Sequence, residues 1–263
     1  MHSPGPDLLS TGDLNDYAGA AFLADALLQL GFIYAAERLA FDSLEMEGEN
    51  APALRTLVRL HVARGLTNAA AIFLNRLQAC PDHRTWVATQ RAGLSQEAPD
   101  GDDPAVPRIQ RNRVTRDQIA AGLTTERLLR LALQENPENR MAFQFLVAQQ
   151  LQARDLLRVR QTLANSPQPT AGPLPRHYAE AVLLHRTLYP GIPMEALLER
   201  VPPKVVTDFQ RLRELLAQAK GDVNEARARV WPEFGNTYWY YYFFGPRHPA
   251  SPSPTSDGSG THG

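Results

Sequence analysis

Cysteine is almost missing from this chain of 263 residues. Cys80 stands alone, which excludes an internal disulfide framework and any cysteine-based zinc cluster. It precedes Pro81 with no base nearby, so it reads as a buried or idle thiol. Neither sign of charge is in excess. Twenty-seven basic and 28 acidic side chains leave a formal charge of −1, which excludes a globally basic nucleic-acid binder and an acidic solvating chain, though not a local patch. Long apolar runs are lacking too. The most apolar window, Ala18 to Ala36, is broken by Asp25, Gln29 and Gly31. A spanning helix needs about 20 apolar residues, and a central aspartate costs about 2.5–3.5 kcal/mol on insertion. Residues 1–16 have no basic segment followed by an apolar one, so they do not read as a signal peptide. The expectation is a soluble chain, cytoplasmic by default. Walker A, GxGxxG, HExxH, CxxC and GxSxG motifs are all absent, so the sequence predicts no enzyme, no cofactor and no metal.

What is present is a repeat. GFIYAAERLAFDSL, from Gly31, matches GLTNAAAIFLNRL, from Gly65, at an offset of 34 residues. The offset aligns Gly31 with Gly65, Ala35 with Ala69 and Ala36 with Ala70. Thirty-four is the tetratricopeptide period, in which two antiparallel helices meet at a tight turn and small residues let them cross closely. A first helix precedes each glycine, Tyr17 to Leu30 and Ala51 to Arg64. Later segments keep the helix–turn–helix style. Asn136 with Pro137 opens a helix to about Ala153, Asp155 to Ala164 forms the next, and Pro175 and Pro203 open two more. Asp222 with Glu225 resembles a capping box. No segment alternates with period two, so the fold class is all-α, a tetratricopeptide-like solenoid of antiparallel helix hairpins.

The breaks organise the chain. Residues 1–16 read as a flexible terminus, 17–95 as helical hairpins, and 96–122 as an acidic, Pro-rich loop followed by a basic connector. Residues 123–244 read as a second helical-repeat segment. Residues 245–263 have no large apolar side chain and read as disordered. The whole is one curved solenoid with an irregular join near residue 100, or two abutting subdomains.

Candidate contact residues fall in three groups. Arg108, Arg111, Arg113 and Arg116 form a basic run that could meet phosphates, lipid headgroups or an acidic partner. The plainer alternative is a solvated connector pairing with Asp100, Asp102 and Asp103. No aromatics interleave for base stacking, so no nucleic acid is expected. Gln149 and Gln150 could line a concave first-helix face and bind an extended peptide, or stand at an exposed boundary. Tyr238, Trp239, Tyr240, Tyr241, Tyr242, Phe243 and Phe244 are seven consecutive aromatics out of 21 in the chain. Wrapped as a helix they cover every face, so they seal the last repeat, dock a partner or sit at a membrane interface. His177 and His185 lie about 12 Å apart along one predicted helix, too far to share a metal. An enzyme built on His177, Glu180 and His185 has no motif behind it, and His185 lies on the apolar stripe of a core histidine.

GLTNAAAIFLNRL (65–77), NPENRMAFQFLVAQQL (136–151), PRHYAEAVLLH (175–185) and FGNTYWYYYFF (234–244) together resemble a bacterial family of unknown function. The resemblance covers about residues 20–244. It implies a tetratricopeptide-like helical half whose relatives carry a multi-pass membrane half ahead of it, and it supplies no catalytic residues. The expected function is therefore a non-enzymatic module for a protein or peptide partner, through Gln149, Gln150, Arg108, Arg111, Arg113, Tyr238, Trp239 and Tyr240. The alternative is the extramembrane domain of a multi-span membrane protein, touching a membrane surface or sibling helices.

Overall fold

The computed structural model describes residues 17–94, 103–116, 124–165 and 172–246. The expectations for the two termini, Asp100 and Asp102 lie outside the described residues. Among the described residues the chain is all-helical and has no strand. It divides into two compact units, Met1–Ala148 and Gln149–Gly263.

The first unit holds α1 (Tyr17–Leu30), α2 (Ile33–Glu47), α3 (Ala51–Ala63), α4 (Thr67–Leu77), α5 (Arg84–Leu94), α6 (Ala105–Asn112), α7 (Thr125–Glu135) and most of α8 (Arg140–Gln152). α1 packs on α2 and α3 on α4, and the two turns repeat the offset of 34 in their hydrogen bonds. Gly31 N–H donates to the Leu28 carbonyl (3.0 Å) and Phe32 N–H to that of Leu27 (2.9 Å). Gly65 donates to Val62 (2.9 Å) and Leu66 to His61 (2.8 Å) in the same way. Both glycines have positive φ, +98° and +73°, as this helix-ending motif requires. Ala21, Ala24, Ala40 and Ala53 are buried together with Leu57, so close helix approach rests on small side chains.

The connector of the sequence reading contains α6. Its apolar pair Val106 and Ile109 is fully buried against α1 and α3. The Asp103 carboxylate starts the helix, accepting Arg59 Nε at 2.7 Å and the Ala105 N–H at 3.0 Å. At its far end Asn112 Nδ2 donates to the Gln29 carbonyl (3.1 Å) and Val114 N–H to that of Gly31 (3.0 Å). A Cβ on Gly31 would lie 1.8 Å from the Asn112 carbonyl oxygen, so a side chain there is excluded by contact as well as by φ. The charge-rich, Pro-containing sequence hid a one-face helix of only eight residues.

Asn136 does not open α8. It holds a turn, accepting the Glu138 N–H (3.0 Å), and the cap is Asn139 three residues on. Asn139 is fully buried because its amide also donates to the Leu30 carbonyl at the end of α1 (3.1 Å).

The second unit holds the end of α8, α9 (Leu156–Asn165), α10 (Arg176–Leu188), α11 (Glu195–Leu198), α12 (Pro203–Gln218), α13 (Val223–Phe234) and α14 (Tyr238–Phe244). Pro175 and Pro203 open α10 and α12 as the sequence predicts, and Asp222 caps α13 through the Asn224 and Glu225 N–H groups. The turn after α8 repeats the hairpin pattern with Arg154, at φ +55°, in the glycine position. Its N–H donates to Leu151 and that of Asp155 to Gln150, both at 3.0 Å.

Candidate functional site

The aromatic run folds as α14, which is held at its start by a buried carboxylate and at its end by a half-buried guanidinium. Thr237 caps it, its Oγ1 accepting the Tyr240 N–H at 3.1 Å. Beside that cap lies the Glu180 carboxylate, 1% exposed. It accepts the Tyr238 N–H (2.6 Å) and Arg176 Nε (2.8 Å), and His177 Nδ1 lies 3.1 Å from it. The Trp239 indole N–H donates to the Glu180 carbonyl at 2.9 Å. At the other end Arg154 Nη2 donates to the carbonyls of Tyr241 (2.9 Å), Gly245 (2.8 Å) and Pro246 (3.0 Å). Its guanidinium also lies 4.9 Å over the Tyr241 ring. An anion at a helix N-terminus and a cation at its C-terminus both oppose the aligned peptide dipoles.

This clamp turns Tyr238, Trp239 and Tyr240 inward. All three are buried, and Trp239 packs on Phe209 and Phe234 at ring distances of 5.3 and 5.8 Å. As folded, none of these three offers an exposed ring. Phe243 alone in the run is well exposed.

The other predicted residues are scattered. Arg108 gives its Nε (3.0 Å) and Nη2 to the Gln29 amide oxygen, Arg111 and Arg113 are exposed, and Arg116 pairs with Glu135 at 2.8 Å. Asp103 pairs with Arg59 rather than with the run. Gln149 is half-buried and Gln150 only 3% exposed, so neither is an exposed boundary residue. Both Gln150 amide atoms and Gln149 Oε1 are buried without a partner among the described residues. In the first unit α6 packs on the first helices of both hairpins, α1 and α3.

Two further groupings escaped the sequence reading. In the second unit, Arg154 and Arg160 of the α8–α9 region, His185 of α10 with Tyr189 just after it, and Tyr238 and Tyr242 of α14 form a linked set, in which Arg160 acts on His185, Arg154 on Tyr238 and Tyr242, and Tyr189 on Tyr242. The His185 ring is 5.1 Å from that of Tyr189, and Tyr238 is 6.0 Å from Tyr242. Burial, then the Arg160 charge, holds the His185 imidazolium below its ordinary range. Burial pushes the Tyr238 phenol well above its ordinary range, and the Tyr242 phenol also upward.

In the first unit an aromatic band crosses the outer side of α2 and α4. Arg64 forks onto both Glu37 oxygens (3.1 and 3.0 Å) and lies 5.6 Å over the Tyr34 ring. The buried His61 ring stacks on Phe73 at 5.3 Å with its Nε2 3.9 Å from Glu37, and Phe73 meets Phe41 edge-on at 6.0 Å. Tyr34, Phe41 and Ile72 are well exposed. Nothing in the local pattern marks this band, because its members lie on three helices.

A family model matches residues 5–245, across both units. The chain belongs to DUF6057, a family of unknown function. No curated protein and no solved structure matches this DUF6057 chain. Among its described residues no helix is long and apolar enough to cross a membrane, and no cluster of three or more histidine, cysteine or acidic side chains is placed to hold a metal ion.

Proposed function

We propose that this DUF6057 chain is a non-enzymatic, tetratricopeptide-like module that binds a protein partner through the outer face of α2 and α4. The observation that carries the reading is the band Tyr34–Arg64–Glu37–His61–Phe73–Phe41, with Tyr34, Phe41 and Ile72 exposed at 41%, 45% and 56%. Aromatic and arginine side chains are what protein interfaces are enriched in, and here the arginine and glutamate are already oriented by each other. The two equivalent turns at Gly31 and Gly65 support the repeat character. A photo-crosslinking side chain at Phe41 or Ile72 in native cells should trap one discrete adduct that is missing when it replaces exposed Lys204. Identical adducts from all three positions would end this reading.

A second reading rests on α13, where Val223 and Trp231 are exposed at 67% and 59%. In it the chain is the extramembrane part of a multi-span bacterial membrane protein, with Trp231 at headgroup depth. Flotation with anionic vesicles that Trp231→Ala abolishes would favour it, and no flotation at low salt would reject the lipid contact.

A further inference from the structure

Eight of the ten buried side-chain nitrogen and oxygen atoms that lack a protein partner among the described residues lie in the second unit. They include Nε of Arg154 and Arg160, both ring nitrogens of His185 and the hydroxyl of Tyr238. These four residues belong to the meeting of α9, α10 and α14 described above. A helical core normally fills such a junction with apolar side chains, and each unpartnered buried polar atom costs about 1–3 kcal/mol. Here five of the ten fall on residues linked to one another, Arg160 with His185 and Arg154 with Tyr238, the two pairs joined through Tyr189 and Tyr242.

We propose that this junction is a binding site for a small oxyanion, a carboxylate or a phosphate monoester, held by Arg154, Arg160, His185 and Tyr238. The donor balance carries the choice of ligand. Two guanidinium Nε–H groups, a phenol O–H and one imidazole N–H are donors, and at neutral pH neither ring brings a negative charge. The carboxylate at the edge, Asp155, already accepts the Arg158 N–H (3.0 Å) and pairs with its guanidinium (3.2 Å). Unopposed donors around two cations suit an acceptor with several oxygens and repel a metal or ammonium ion. Half-buried Tyr242 and exposed Tyr189 are the members of this set that reach solvent. One further nitrogen of each guanidinium is committed to the backbone, Arg154 Nη2 to the end of α14 and Arg160 Nη2 to Pro193 O at 3.1 Å. Both guanidinium groups are thereby positioned before a ligand arrives.

The test uses the full chain with two probes, inorganic phosphate and succinate, each against sodium chloride of equal ionic strength. A saturable rise of about 4 °C in the unfolding midpoint is expected at a tenfold excess over the dissociation constant. A matching saturable shift should appear in the His185 ring nitrogen resonances, assigned with His185→Gln. Arg160→Gln should abolish both effects, while Arg211→Gln, at an exposed pair with Glu233, should leave both intact. If Arg160→Gln does not fold, Arg160→Lys should keep the charge yet bind about tenfold more weakly, since it loses the directed Nε–H. Saturation by phosphate alone names a phosphate ligand, and by succinate alone a carboxylate; either supports the site. A midpoint that follows ionic strength only, or variants that bind as the unaltered chain does, would overturn it.

Discussion

The Glu180 carboxylate takes the Tyr238 N–H at 2.6 Å, and one residue further on the Trp239 indole donates to the carbonyl of the same glutamate at 2.9 Å. One residue of α10 thus fixes both the start of α14 and the rotation that puts Trp239, 1% exposed, into the core. The carboxylate is buried, but it is not unpaired: Arg176 and His177 lie on its oxygens.

Glu180→Ala should therefore destabilise the second unit by about 3 kcal/mol, because the buried N–H of Tyr238 and the arginine lose their acceptor together. Glu180→Gln should cost about half as much. Chemical denaturation followed by tryptophan fluorescence reads both, and an unchanged midpoint for Glu180→Ala would show that Thr237 alone suffices as the cap.

Arg154 combines a disfavoured backbone with a useful side chain. Arg154→Gly relieves about 1 kcal/mol of left-handed strain yet loses three carbonyl contacts, whereas Arg154→Ala loses the contacts and keeps the strain. The alanine variant should be the less stable of the two by about 1 kcal/mol in urea unfolding. Equal stabilities would mean that the turn relaxes when the guanidinium is gone.

The two repeat glycines make a controlled pair. Gly65→Ala meets nothing within 4 Å and should cost only about 1 kcal/mol, the price of positive φ. Gly31→Ala places a methyl against the Asn112 backbone and should cost at least about 3 kcal/mol by undocking α6. Hydrogen exchange of the Val114 amide, which donates to Gly31, should rise only in the second variant.

His61 should make the first unit sensitive to acid. Burial, opposed by Glu37 and reinforced by Arg64, holds its folded-state value below the ordinary one. The native state then binds fewer protons than the unfolded chain below about pH 6.5, so stability present above that pH falls as pH drops toward the folded-state value. The groups facing the ring are Glu37, Arg64 and Phe73. His61→Gln should flatten the decline in urea midpoint between about pH 7 and 5. An undiminished slope would assign it to other groups, such as His185, which is shifted in the same direction.

The all-helical class and the hairpin turns at Gly31 and Gly65 were legible because local physics decides them. Period 3.6, a glycine with positive φ and a cap need only neighbouring residues. The openings of α10, α12 and α13 at Pro175, Pro203 and Asp222 were legible for the same reason. α6 was not: eight residues with a proline at the cap and one proline and two arginines inside give a weak pattern, and α1 and α3 supply the surface that makes Val106 and Ile109 a core face. The α8 cap moved from Asn136 to Asn139 because the amide of Asn139 also satisfies Leu30, 109 residues away.

The candidate site followed the same division. By itself the sequence determined that seven aromatics stand together at the end of the chain and that His185 lies on an apolar stripe. Whether those aromatics face outward or inward was decided only by tertiary structure, through Glu180 and Arg154 at the two ends of α14. The polar junction and the α2–α4 band likewise bring together residues from three or more separate segments. Hydrogen bonds and ring contacts act over a few ångströms in space, and only the packed chain makes those distances short.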